Sequence, residues 1–159
     1  MSHAHTRAES GESAPFHFET TWRVAEAVEP VWDVLSAIDD WPGWWPGLAW
    51  VHAVDGTLAE GSRAQIGVRS PLGLSLSMML RIEAIDPPRQ VVLSAEGDLR
   101  GTGVWTLRRS GPLTVIDAVW CVTTTRLAPR LLRPLSARMH AAVMAAGETG
   151  LRRRLSARA

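Results

Sequence analysis

Residues 130–157 read RLLRPLSARMHAAVMAAGETGLRRRLSA. Pro134 is tolerated only in the first turn of a helix, so the regular part starts near it. At 100° per residue Leu132, Leu135, Met139, Val143 and Gly150 fall on one side. His140, Met144, Gly147 and Leu151 extend the same arc. Gly147 and Gly150 inside a helix each cost ~1 kcal/mol relative to Ala. With Ala141, Ala142, Ala145 and Ala146 they make the middle of the helix thin. A thin helix laid on a sheet either packs very closely or leaves space beside it.

What precedes it is sheet. Leu72, Leu74, Leu76, Met78, Leu80 and Ile82 alternate with smaller or polar residues, the pattern of a half-buried strand. Ile116, Ala118, Trp120 and Val122 alternate in the same way, which makes the Trp120 side the inner face. From Leu48 to Thr125 turn signals recur at Asp55–Gly56, Gly61, Pro71–Gly73, Pro87–Pro88, Gly97–Gly103 and Gly111–Pro112. Their spacing suits consecutive antiparallel strands and not βαβ units. Upstream, Phe16 to Val28 reads as a first strand. Glu29–Pro30 opens a short helix carrying Val31, Trp32, Leu35 and Ile38, which ends at Asp39–Asp40. Trp41 to Gly47 (WPGWWPG) holds two prolines that disfavour helix in the residue before each, so a helical turn or loop is expected.

The chain has 159 residues, 46% apolar and 21% charged. That is enough for one core, and a single domain over 15–159 is expected, with residues 1–14 a disordered tail. No apolar run reaches the roughly 20 residues of a membrane span, and the N-terminus has no signal-peptide core. Cys121 is the only cysteine, so no intrachain disulfide is possible and a reducing, cytoplasmic location is expected. Net charge is +1 but uneven. Residues 126–159 carry eight Arg against one acid, and residues 1–125 carry nine Arg against fifteen acids. The basic end reads as a solvated face that complements the helix dipole, or as a landing site for an anionic membrane. Nucleic acid is not expected, because the aromatic residues lie elsewhere in the chain.

Three segments in this order resemble the START-like helix-grip superfamily, and within it the bacterial polyketide cyclase/dehydrase and lipid-transport group. They are PVWDVLSAIDDWPGWWPG at Pro30 to Gly47, DPPRQVVLSAEGDLRGTGVWTL at Asp86 to Leu107, and HAAVMAAGETGL at His140 to Leu151. The likeness runs from about Thr21 to Leu155. It implies an α+β helix-grip fold: a curved antiparallel sheet of about seven strands around the long C-terminal helix, with short helices after strand one. A cavity would lie between sheet and helix. Such folds serve lipid carriers, allergen-like binders, ring-hydroxylase domains and aromatase/cyclases, so fold alone leaves the activity open.

Two functions follow as expectations. One is a carrier or binder of a hydrophobic small molecule. The other is a cyclase/dehydrase acting on a carbonyl compound. The expected ligand-binding residues are Trp44 and Trp45, as an aromatic gate or a plug, and Met78, Trp105 and Trp120 on the strands. Met139, His140 and Val143 complete the set from the last helix. For an enzyme, His140 would move the proton, and Glu96, Asp98 and Arg100 would share one strand face. A solvated ion cluster is the competing reading of those three. No GxGxxG precedes a helix, no GxSxG is present, and no CxxC, HxxxH or HExxH spacing appears. Neither cofactor nor metal is expected on that basis.

Overall fold

The computed structural model describes residues 5–55 and 58–159. Seven strands, β1 (Phe16–Val24), β2 (Leu48–Ala53), β3 (Arg63–Arg69), β4 (Ser75–Asp86), β5 (Gln90–Gly97), β6 (Arg100–Ser110) and β7 (Leu113–Thr123), form one sheet in the order β1-β7-β6-β5-β4-β3-β2. Every pairing is antiparallel. The sheet is a curled half-barrel closing on the long helix α4 (Arg133–Arg158). Between β1 and β2 lie α1 (Val28–Ser36), a 3₁₀ turn (Ile38–Asp40) and α2 (Trp41–Trp44). A short α3 (Leu127–Leu131) leads into α4.

The local rules explain these boundaries. Pro42 and Pro134 sit in the first turns of α2 and α4, where no N–H partner is lost. Trp45, which precedes Pro46, is forced out of the helical region (φ −112°, ψ 98°) and ends α2 after one turn. Register shifts at Leu48/Trp50 on β2 and Ile82/Ala84 on β4 help bend the sheet.

The inner face of β7 is the one carrying Ile116, Ala118, Trp120 and Val122, as its alternation predicts. Ile116 and Ala118 join the core cluster, and Trp120 and Val122 line a cavity. That cluster also contains Trp22, Val31, Val34, Met144, Leu151 and Leu155, so β1, α1 and α4 share one apolar centre. The glycines of α4 mark close packing. A Cβ on Gly147 would lie 2.5 Å from Cε2 of Trp45, and one on Gly150 would collide with the Trp44 carbonyl oxygen.

Residues 5–14 differ from the disordered tail expected there. Arg100 holds Glu12 through Nε and Nη2, each at 2.7 Å. The Ser13 N–H donates to the Thr124 carbonyl at 2.8 Å, and the Thr6 hydroxyl donates to the Cys121 carbonyl at 2.7 Å. Arg133 donates to the Ala14 and Pro15 carbonyls and covers the Phe16 ring at 4.1 Å. These contacts lay the segment across the outer face of β6 and β7. Composition suggested disorder because the segment is polar. It is ordered by charge and backbone pairing instead of by apolar burial. Residues 1–4 lie outside the described residues.

Candidate ligand cavity

Two cavities share the inside of the half-barrel. The first, about 190 Å³, lies between the sheet and α4. Strand residues Phe18, Met78 and Trp120 face Met139, His140 and Val143 of α4 across it, and Trp45 and Trp105 wall one side. The second, about 370 Å³, lies beneath α1 and the 3₁₀ turn, against Ala53, Ile82, Val91 and Leu107. Its edge carries Asp39, Asp40, Asp55 and Arg63. Trp41, Leu80, Leu93 and Trp105 line both cavities, so they form the partition between them. The larger space is therefore away from α4, in a place that no sequence pattern marks.

His140 is the single titratable side chain lining the smaller cavity among the described residues. Its ring stacks on Phe18 with centroids 4.2 Å apart and planes 9° from parallel. Burial among apolar groups drives its pKa down to about 4, so the imidazole is neutral at pH 7. A neutral imidazole offers one donor and one acceptor, which suits a ligand carbonyl or hydroxyl. No carboxylate lines this cavity among the described residues to exchange protons with it.

The aromatic residues divide in role. The Trp45 indole N–H donates to the Val143 carbonyl at 2.8 Å and the ring packs against Trp22 and Trp105, with centroids 5.2 Å and 6.2 Å away. These contacts hold the ring as one wall of the cavity. Trp44 does not line the cavity. It is buried against α4 at Gly150, and its N–H has no partner among the described residues. Trp120 lies close over Gly103, where a Cβ would come within 2.6 Å of the ring. Glycine at that position gives the indole room to lie flat along the sheet.

Glu96, Asp98 and Arg100 lie outside the cavity. Asp98 and Leu99 form the β5–β6 turn, and Ala95 pairs with Gly101, so Glu96 and Arg100 flank that turn on the outward side of the sheet. Asp98 accepts from the Ser77 N–H at 2.8 Å and faces Arg126 at 3.4 Å. Arg100 turns to Glu12, and Glu96 is exposed at the end of β5. None of the three lines the cavity; Leu99 does. Phe18, Trp41, Leu80 and Leu93 are lining residues that sequence reasoning left out. Alternation placed Leu80 on the inner face, but nothing in the sequence marked the partition.

One end of the smaller cavity is lined by Leu74 of the β3–β4 loop, Leu99, and Pro129 of α3. Leu72, Leu127 and Leu131, their near neighbours in sequence, are 64–71% exposed. The basic C-terminal segment is in part turned inward. Arg130 and Arg133 bind carbonyls of residues 11–15, Arg152 binds the Arg23 carbonyl and Glu148, and Arg154 faces Asp40.

No family model matches the sequence, and no curated protein matches it. Solved structures do match. A protein from Thermus thermophilus superposes with a TM-score of 0.78 at 16% identity, covering 90% of this chain and 99% of that one. A START superfamily protein from Mycobacterium smegmatis gives 0.73 at 15% identity, over 90% and 99% of the two chains. The Zhui aromatase/cyclase from Streptomyces sp. R1128 gives 0.72 at 17% identity, over 91% and 95%. At these identities the likeness is one of fold. No helix is long and apolar enough to cross a membrane among the described residues. The chain has the START-like helix-grip fold.

Proposed function

We propose that this protein binds a hydrophobic small molecule, such as a lipid or polyketide, between its sheet and α4, as a carrier or binding protein. The observation that carries this reading is an apolar cavity whose one titratable lining group among the described residues, His140, is neutral and stacked. Apolar walls supply affinity by burial, about 25 cal/mol per Å² of apolar surface removed from water. His140 orients one polar atom of the ligand. Ligand sites commonly occupy about 300–1,000 Å³, more than the smaller cavity offers. Rotation of a partition side chain would join it to the larger one. The exposed leucines at the rim, with arginines beside them, suit transient contact with an anionic membrane during loading.

The aromatase/cyclase in the structural comparison suggests catalysis as the second reading. It is less well supported, because Glu96, Asp98 and Arg100 point away from the cavity and leave His140 without a proton-transfer partner.

Native mass spectrometry of freshly purified protein, followed by denaturing extraction, tests the binder reading. An apolar adduct at one per chain is expected. An empty protein that also fails to take up fluorescent fatty acids or polyaromatic probes would overturn it. Salt-sensitive flotation with anionic liposomes, weakened by Leu131→Asp, is expected for the membrane step, and its absence would remove that step alone.

A further inference from the structure

On the opposite face of the sheet from the cavity, β1 and β7 bring together side chains that no linear spacing reveals. His17 and Cys121 are directly paired across the two strands, on the outer face. Nδ1 of His17 lies 2.9 Å from Sγ of Cys121. His5 reaches the same sulfur from the N-terminal segment, with Nδ1 at 3.9 Å. One ligand atom from each of the three fits within 4.8 Å of the others. We propose that His5, His17 and Cys121 bind one divalent transition-metal ion of the zinc type.

The donor set selects the metal class. Two imidazoles and a thiolate suit zinc and its first-row neighbours, whereas calcium and magnesium require oxygen ligands. Tetrahedral zinc, with bonds of about 2.0–2.1 Å to nitrogen and 2.3 Å to sulfur, sets its nitrogen and sulfur ligands about 3.5 Å apart. The two sulfur–nitrogen distances here, 2.9 and 3.9 Å, lie on either side of that value. Small rotations of the two imidazoles would meet it.

The surroundings are also those of a metal site. Nε2 of His17 is 2.9 Å from a Glu19 carboxylate oxygen, an arrangement that fixes the tautomer and leaves Nδ1 as the metal-facing nitrogen. Two ligands stand on paired strands and so are rigidly placed. The third is delivered by the segment that Thr6 ties to the Cys121 carbonyl and Arg100 ties through Glu12. Gly101 permits that approach, because a Cβ there would lie 2.9 Å from the Thr6 hydroxyl and collide with the Cys121 carbonyl oxygen. Binding would release the thiol proton to solvent as the thiolate forms. Three protein ligands leave a fourth position for water or a small anion. The ion would clasp the N-terminal segment to the sheet.

Cobalt(II) titration of the full-length, reduced and metal-stripped protein tests this. One equivalent per chain is expected, with an intense tetrahedral visible spectrum and a thiolate-to-cobalt band in the near ultraviolet. Zinc should displace the cobalt. Cys121→Ser should abolish the thiolate band. His5→Ala and His17→Ala should each weaken zinc binding at least about 10-fold in competition with a chromophoric chelator, and Glu19→Gln by about 10-fold or more. Circular dichroism checks that each variant is folded; His5 is exposed, so His5→Ala serves even if a strand variant unfolds. Absence of a thiolate band, or zinc affinity unchanged in both His5→Ala and His17→Ala, would overturn the proposal.

Discussion

The indole N–H of Trp45 donates to the backbone carbonyl of Val143, four residues before Gly147, over which the same ring lies. The bond takes up the N–H of a buried side chain, and the missing side chain at Gly147 lets the ring come close enough to make it. A Cβ at Gly147 would sit 2.5 Å from Cε2 and 2.7 Å from Nε1 of Trp45, and 2.8 Å from Cζ2 of Trp22. Two rigid indoles cannot both withdraw. Gly147→Ala should therefore destabilise by about 1–3 kcal/mol in chemical denaturation, against the ~1 kcal/mol that Ala gains in an open helix. A stabilised variant would mean that the helix and indoles separate easily.

His140 predicts acid sensitivity. Its pKa is about 4 in the folded chain, against about 6.5 when unfolded. The unfolded state thus binds the extra proton first. The stability that depends on neutral His140 is fully present above pH 6.5 and is lost as pH falls from there towards 4. The loss is on the order of 3 kcal/mol. His140→Leu should flatten this part of the profile when denaturation midpoints at pH 7.5 and 4.5 are compared. An unchanged pH dependence in that variant would assign the effect to other groups.

The partition between the cavities is open to a length test. Leu93 is buried and lines both spaces. Leu93→Ala should cost about 2–4 kcal/mol in stability, as large-to-small core changes do. It should also shift binding towards longer chains when a series of fluorescent fatty acids is titrated. The same length preference in wild type and variant would argue against a joined cavity.

The N-terminal segment carries its own signature. Hydrogen bonds from Arg100 hold the Glu12 pKa down to about 2. The clamp is present above the ordinary carboxylate range and is lost only as pH falls through about 2. Glu12→Gln should speed tryptic cleavage after Arg7 at pH 8 without changing ligand uptake. Equal cleavage rates would show that Thr6 and Ser13 suffice to hold the segment.

The fold was readable because its signals are periodic. Alternation in β4 and β7, the prolines at 42, 46 and 134, and the small residues of α4 each dictate local geometry within a few positions. The site was readable only where those rules extend to it. Met78, Trp120, Met139, His140 and Val143 follow from strand and helix faces and do line the cavity. Trp44 and Trp45 are adjacent and chemically identical, and the backbone turn before Pro46 sends one ring to the cavity wall and the other against Gly150. Glu96, Asp98 and Arg100 misled because alternation groups them without saying which face is inner, and the turn at Asp98–Leu99 and the outward sides of β5 and β6 keep them from the cavity. His5, His17 and Cys121 are separated by up to 116 positions; strand pairing brings the last two together and the tethered N-terminal segment brings His5.

The order of strands has a consequence for how the chain is made. Each pairing from β2 through β7 joins neighbours in sequence, whereas β1 finds its place only beside β7, 104 positions away at His17 and Cys121. During synthesis the first strand must leave the ribosome and wait, edges unsatisfied, until the other six strands have emerged. Closing so long a loop is slow. The interval is when the nascent chain is most exposed to wrong partners, and chaperone dependence should concentrate there.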